Sequence, residues 1–510
     1  LNGAQLASNA IGDIYHYELA ISGGRTPLDL SEFTAGPADH GNRYGQNRYF
    51  HLVELSSGNL GIVWQDRNDY KIYLTKFDRR GTSTTVDLPS GSGNQYMLGA
   101  AASDGAGSIY YIVFEAGNKD PNYTKTSDPH KVLSVMAIKS DENGASLAAR
   151  ELNDSTNSLN ATTFGDIATS TTATDGQYGN TVSLRVAGSE VGIIYSRLHA
   201  QTGDGLNHQG ADAIVLNASD LTLKVNHGQT SGHSFSNVME VTSSNQFIAI
   251  DLGDNYPRGV HFHRFDGATK NQRVVYTFKT HHGYVASHDG RGPFDPYGVD
   301  VTGKQMYKWS NDNNTYTELG GVAEVSDGYL VVFASEHDAN LRVLNNNSTG
   351  DNLNLIDPRN IGFIKVAANF QAASGSGNVV TDDLIATQGG SSAETGEFYS
   401  FDGIQQDQRV TGIRWLTSYT DKATENASRI RLRDRADGNF LVMWEKWQPS
   451  SYVSTHAMVI DANGTVVTQD TEVSGVRLNR RDDLIRIGNR TYAVVANRTS
   501  RSFEITEIEE

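Results

Sequence analysis

The feature that most constrains this chain is that it repeats itself. Residues 48–81, RYFHLVELSSGNLGIVWQDRNDYKIYLTKFDRRG, and residues 428–464, SRIRLRDRADGNFLVMWEKWQPSSYVSTHAMVIDANG, share one grammar. Each runs through a strand, an Asx/Gly turn, a strand ending in Trp and charge, a polar loop, a third strand, then Asp and Gly. The same order returns in MLGAAASDGAGSIYYIVFEAG with KVLSVMAIKSDENG, in TVSLRVAGSEVGIIYSRL with DAIVLNASD, and in FSNVMEVTSSNQFIAIDLGD with GVHFHRFDG. It returns again in LGGVAEVSDGYLVVFASEHD with IGFIKVAANF and in DLIRIGNRTYAVVANR with SFEITEIEE. Each unit alternates apolar and polar residues with period two and turns on Gly, Asn or Asp, which reads as an antiparallel meander.

One such meander cannot bury both of its faces. Seven set radially can, so the expected fold is all-β, a seven-bladed β-propeller. A pair of side-by-side sandwiches would not keep the turn grammar so regular. The 510 residues read as one propeller domain, with blade cores near 47–88, 95–150, 178–225, 233–280, 315–419, 427–475 and 481–510. The last unit lacks an outer strand, and DIYHYELAI at 13–21 supplies it, closing the ring. In this arrangement Trp64, Phe114, Tyr195 and Trp444, shared by the second strands, are packing residues between blades.

A formal charge of −17 argues against nucleic acid, whose recognition needs a concentrated basic face, and no apolar run is long enough to span a membrane. With no cysteine, disulfides, thiolate catalysis and thiolate metal sites are excluded. The numbering opens on LNGAQLASNA without a charged-then-apolar leader, which suits a secreted mature form and an extracellular or cell-surface location. Asn-x-Ser/Thr sequons, such as those at Asn217 and Asn463, follow from an Asn-rich composition.

The irregular residues collect on one face, here called upper, where each inner strand begins and each second strand ends. Loops after Glu115, Arg197, Asp251 and Glu336 fall there, as does the long segment 281–315. The inner strands enter through NRYGQNRYF, DGQYGN, SGHSFSN and NNTYT, which put Arg48, Asn180, His233 and Tyr316 at the mouth as candidate ligand contacts, with Arg197 facing them. The segment DLGDNYPR at 251–258 departs from the repeat by crowding Asp251, Asp254, Tyr256 and Arg258 into one connection, with His208 and His282 on adjoining loops. The carboxylates Asp66, Glu115 and Glu445 recur at one place in the blades and read as partners for arginines or caps for loop amides.

Several chemistries fit this set. β-Elimination at a uronate needs a partner for the carboxylate, a base for the C5 proton and an acid for the leaving oxygen. Arg258 suits the first by its bidentate fork, His233 the second, and Tyr256, His208 or His282 the third. Asp251 and Asp254 lie too close in one connection for a glycosidase pair and read better as loop caps or weak calcium ligands. No other cofactor is required. The histidines of HFH at 261–263 share a strand face and read as structural. There is no G-x-S-x-G elbow to mark a serine nucleophile. A glycan- or protein-binding propeller without turnover, or a component of a surface assembly, uses the same mouth.

The run GLNHQGADAIVL…GQTSGHSFSNVMEV…IDLGDNYPRGVHFHRF, with NNTYTELGGVAEVSDGYLVVFASE, resembles secreted bacterial β-propellers carrying a GHSF and D-x-GD-x-x-PRG signature, over the third to fifth blades. The general plan is similar to that of seven-bladed polysaccharide lyases of the ulvan-cleaving type. That resemblance implies an acidic polysaccharide or cell-surface glycan as partner, with His, Tyr and Arg residues spread across the upper face.

Overall fold

A computed structural model describes residues 3–27, 50–66, 68–90, 96–119, 130–152, 166–167, 182–201, 207–232, 236–253, 259–277, 280–282, 317–336, 342–344, 358–368, 384–385, 393–398, 408–448, 451–479, 483–497 and 500–510. These residues form a seven-bladed β-propeller without helices. Arg48, Asn180, His233, Asp254, Tyr256, Arg258 and Tyr316 lie outside the described residues.

Blade 1 consists of His51–Glu54, Leu60–Gln65, Ile72–Phe77 and Ser83–Leu88, in sequential antiparallel order. Blade 2 has Tyr96–Ser103, Ser108–Lys119, His130–Asp141 and Ser146–Glu151, and blade 3 has Val182–Ala187, Glu190–Gln201, Asn207–Asn217 and Leu223–Gly232. Blade 4 runs Asn237–Val241, Phe247–Gly253, Gly259–Asp266 and Thr269–Thr277. Blade 5 orders Glu318–Val325, Gly328–Glu336, Arg359–Ala367 and Gln408–Trp415, the last also pairing with Ala393–Phe398. Blade 6 is Asn426–Asp434, Phe440–Trp447, Tyr452–Ile460 and Val466–Glu472.

Blade 7 is made from both ends of the chain. Ile485–Ile487, Arg490–Asn497 and Ser502–Glu509 are joined by the N-terminal strand Gly12–Ala20, which pairs antiparallel with Ser502–Glu509 from Asp13↔Glu509 to Ala20↔Ser502. Closure by the N-terminal strand is therefore as the sequence predicts. A further strand, Ala4–Asn9, pairs on the outside of Gly12–Ala20.

The turns explain why the repeat was readable. At the ends of the third strands, Asp78, Asp141 and Asp461 each accept backbone amides two and four residues on through one carboxylate oxygen. In each turn the glycine at the fourth position, Gly81, Gly144 or Gly464, takes φ of 78°, 85° or 73°. A side chain is strained there, so the D-x-x-G grammar is a backbone requirement.

Burial follows from the radial arrangement. Every residue of Leu60–Gln65 is buried, because each middle strand is covered on both faces by neighbouring blades. The core is accordingly a ring of seven apolar clusters, one at each blade interface. Trp64 belongs to the cluster between blades 7 and 1, Phe114 and Tyr195 to that between blades 2 and 3, and Trp444 to that between blades 5 and 6. All four are packing residues, as expected. The close approach of blades shows at Gly192, where a Cβ would meet the Phe247 ring at 2.6 Å.

Ion pairs reinforce the closure. Arg79 of blade 1 reaches Glu507 at 2.7 Å and Glu509 at 2.8 Å in blade 7. Burial raises the Glu507 carboxyl above its ordinary range, and the Arg79 charge opposes this. Removing residues 1–21 strips the outer strands of blade 7 and takes Ile11, Ile14, Tyr17 and Leu19 from two interface clusters. Thermal unfolding of that truncation should move down by more than 10 °C or lose its single transition. A melt matching the full chain would contradict closure by this strand.

Candidate functional site: the upper face and the channel

The upper face is asymmetric. In blades 1 and 6 the second and third strands end near the level where the inner strand begins, Gln65 pairing with Ile72 and Trp447 with Tyr452. In blade 2 the inner strand stops opposite Glu115, while the second and third strands continue to the pair Lys119↔His130. In blade 3 the inner strand stops opposite Tyr195, and its neighbours run on to Gln201↔Asn207. From Tyr195 to Gln201 is roughly 20 Å of extended chain. The short strand Asp166–Ile167 bridges these extensions, pairing with Lys131 and His130 on one side and Leu198 on the other, so the two blades share a nine-stranded sheet. Blades 2 and 3 thus carry strand extensions well past the level at which their inner strands begin. Thr280–His282 pairs in parallel with Arg342–Leu344 as a separate two-stranded sheet.

The predicted residues can be placed against this frame. Arg197 and His208 lie in the extended strands of blade 3, Arg197 opposite Gly210 and His208 opposite Ala200. His282 lies in the parallel pair, opposite Leu344. His233 follows directly on Gly232, the end of the fourth strand of blade 3, and residues 254–258 join Gly253 to Gly259, which pair with each other.

Asp251 is a correction. It does not face the mouth and is fully buried, with one carboxylate oxygen accepting from Thr230 Oγ1 at 2.9 Å and the other 3.0 Å from His263 Nε2. Both carboxylate oxygens are thus engaged by protein groups, and among the described residues no group of three or more His, Asp or Glu side chains could hold a metal. His261 and His263 are equally buried, with Gln272 3.2 Å from His261 Nδ1. The HFH pair is structural, as its strand position implied. Nearby, His227 packs on Phe265 with ring centroids 4.8 Å apart. Burial, helped by the Lys270 charge, pushes His227 down to about 4.

The recurrent carboxylates also have structural partners. Asp66 accepts the Thr26 amide at 2.7 Å. Glu445 takes Arg429 at 2.6 Å, Arg477 at 2.9 Å and the indole of Trp447 at 2.9 Å. Glu318 takes Arg359 at 2.9 Å and the Arg429 amide at 2.6 Å, which holds the buried Arg429 at φ 56°, a strained conformation for a side-chain-bearing residue. Blades 5, 6 and 7 are tied together near the upper face by this network.

One group of residues escaped the sequence reading. The central channel holds a cavity of 330 Å³ lined by inner strands, where Arg185, Glu240, Arg433 and Asp483 converge from blades 3, 4, 6 and 7. Arg185 grips Glu240 at 2.9 and 3.2 Å and Asp483 at 3.0 Å, and Arg433 reaches Glu240 at 3.2 Å. Burial pushes the Glu240 carboxyl up, but the two guanidinium groups outweigh it and hold it below the usual range. The available signal was charge at alternate positions of inner strands, in SLRVAG, VMEVTS and RLRDRAD, where a core residue would otherwise stand.

The fold and face define a seven-bladed propeller with an elaborated mouth on one side and a polar, ion-paired channel. No family model matches the chain, and no curated protein matches it. Among solved structures it is similar to a protein of unknown function from Dyadobacter fermentans, at 8% identity over 100% of both chains with a TM-score of 0.39. It is similar also to an α-L-arabinofuranosidase from Clostridium thermocellum, at 11% identity over 63% of this chain and 83% of that one, TM-score 0.28. An endo-arabinase from Bacteroides thetaiotaomicron matches at 8% identity over 70% and 90%, TM-score 0.29. Likeness this loose carries no argument for a shared activity.

Two measurements follow from the charges. Glu240→Gln should cost at least about 1.5 kcal/mol at pH 7, the scale of a hydrogen bond to a charged group. Because the Glu240 folded pKa is depressed, its stabilisation is present above the unfolded carboxylate pKa and is lost as pH falls, so the difference between wild type and Glu240→Gln should shrink below about pH 4.5. For His227 the unfolded chain binds a proton that the fold excludes. Its contribution is complete above about pH 6.5 and lost as pH falls toward 4. His227→Leu should therefore flatten the melting temperature across that window, and an unchanged slope would count against a neutral buried imidazole.

Proposed function

We propose that this protein is an extracellular propeller that binds an acidic polysaccharide across its upper face, beside the wall of blades 2 and 3. The asymmetry of that face carries the reading. Blades 2 and 3 extend past the level of the other blades, and an extended ligand needs such a wall to lie along, whereas a structural ring has no use for it. The reading is also supported by the sequence pattern that puts His233, Tyr256 and Arg258 in the connections of blades 3 and 4, at the upper ends of their strands. In this reading Arg258 is the partner of a uronate carboxylate, joined by Arg197 and by the polar entries Arg48, Asn180 and Tyr316. His233 takes the C5 proton, and Tyr256, His208 or His282 protonates the leaving oxygen. The reaction is β-elimination, which needs no redox partner: the C5–H and C4–O bonds break, a C4=C5 double bond forms, and the proton goes to the base.

The test is incubation with uronate-rich polymers while following the ultraviolet absorbance of an unsaturated uronate. Growth of that absorbance, with Arg258→Ala weakening both binding and turnover, is the expected result. His233→Ala should leave binding intact and lower turnover by roughly 10²–10⁴-fold. Binding that both variants lose equally, without new absorbance, would make the protein a glycan-binding module. Failure to bind any glycan, with self-association at high concentration, would replace the proposal by a role in a surface assembly.

A further inference from the structure

Blade 6 carries a side-chain relay far from the predicted mouth. Ser454 and His456 stand two residues apart in the strand Tyr452–Ile460 and so share one sheet face. The Ser454 hydroxyl lies 2.7 Å from His456 Nε2, and His456 Nδ1 lies 2.6 Å from Asp470 Oδ1 in the adjacent outer strand. With the Asp470 carboxylate as acceptor Nδ1 is the donor, and in the neutral imidazole Nε2 then accepts from the Ser454 O–H. This tautomer is the one a general base requires.

The surroundings hold the relay in place. His456 stacks on the fully buried Trp444, with centroids 5.5 Å apart and an interplanar angle of 20°. The Trp444 indole is fixed by donating to the Tyr419 hydroxyl at 2.9 Å. Lys446 is the cross-strand partner of Ser454, as Trp444 is of His456, which puts the Lys446 side chain on the same face within roughly 5 Å at Cβ. Its ammonium has three donors, of which one goes to Glu425 at 2.8 Å. The relay reaches solvent from the Asp470 side: Asp470 is 42% exposed, His456 13% and Ser454 8%.

We propose that Ser454, His456 and Asp470 form a nucleophilic triad that cleaves esters of short acyl groups, with Lys446 stabilising the oxyanion. The triad is defined by geometry and roles, which recur on unrelated folds, and an elbow motif is not part of that definition. Ser454 is itself buried at 8% exposure, and a compact acyl group is the class that asks least room at such a position. The Ser454 oxygen bonds to the acyl carbon while its proton passes to His456 Nε2. The tetrahedral adduct then expels the alkoxide, which takes that proton and leaves as the alcohol. Water attacks the acyl-Ser454 ester, giving its proton to His456, and collapse returns Ser454 and releases the carboxylic acid. Asp470 is a positioning residue, holding the imidazole in the required tautomer.

The probes are a small alkyl fluorophosphonate, read by intact mass and peptide mapping, and p-nitrophenyl acetate, read by release of nitrophenolate. One phosphonyl group should attach at Ser454 with loss of fluoride, and ester cleavage should show a burst. Ser454→Ala should abolish labelling, and His456→Gln should slow both reactions by at least about 10²-fold. Asp470→Asn should slow them comparably and change the pH profile, while melting within a few degrees of wild type, a result that loss of a merely structural contact would not give. The proposal is overturned if the folded wild type is not labelled at Ser454, if labelling proceeds equally fast in His456→Gln, or if Ser454→Ala hydrolyses the ester as well as wild type. None of these outcomes depends on polysaccharide binding at the upper face.

Discussion

Everything in this protein depends on one constraint: a four-stranded meander with apolar residues on both faces needs a neighbour on each side, and only a closed ring supplies two neighbours to every blade. The seven interface clusters are that constraint made visible. Closure falls to the strand Gly12–Ala20, which crosses nearly the whole chain to meet Ser502–Glu509. So long a loop is slow to close, and the blade interfaces are not all satisfied until it does. The pairs Arg79–Glu507 and Arg79–Glu509 sit at this seam, between the blade that begins the ring and the blade that ends it.

Burial on both faces has a second consequence. In a one-sided sheet a polar residue next to an apolar one points to water, but in these middle strands both directions lead into protein. Each charge carried there must be matched inside, because an unpaired buried charge costs several kcal/mol. Asp251 with His263 and Thr230, Glu318 with Arg359, and Glu445 with Arg429 are the matches. Two contacts of these carboxylates cross between blades, Thr230 of blade 3 to Asp251 of blade 4 and the Arg429 amide of blade 6 to Glu318 of blade 5, and these register one blade against the next, with Arg429 held at positive φ.

What the sequence made legible follows from the same physics. Blade number, turn chemistry, closure and the packing role of Trp64, Phe114, Tyr195 and Trp444 were readable because period-two alternation and D-x-x-G turns are local and repeated. Asp251 was misplaced because it stands near the end of the strand Phe247–Gly253, at the start of the irregular DLGDNYPR, and alternation does not tell rim from interior when both faces are covered. The channel quartet was missed for the opposite reason. Arg185, Glu240, Arg433 and Asp483 are separated by up to half the ring, and only the radial geometry brings them to one axis. Ser454, His456 and Asp470 look like ordinary polar positions of outer strands, and the bulged pairing of those strands is what sets Asp470 against the imidazole.

The two proposed sites use different parts of the propeller for a physical reason. A polymer needs length of surface, and the wall of blades 2 and 3 gives it by extending strands past the ring. A nucleophile needs fixed angles, and regular sheet with a buried indole beneath it gives those better than any loop. Blade 6 has a short connection between its second and third strands and is joined to blade 5 by the Arg429 amide on Glu318. The relay stands within the sheet of blade 6, and the proposed polymer face where the blades depart from the repeat. Because the seven interfaces are separate clusters, a substitution at either proposed site perturbs its own interface first, and the two proposed roles separate by mutation.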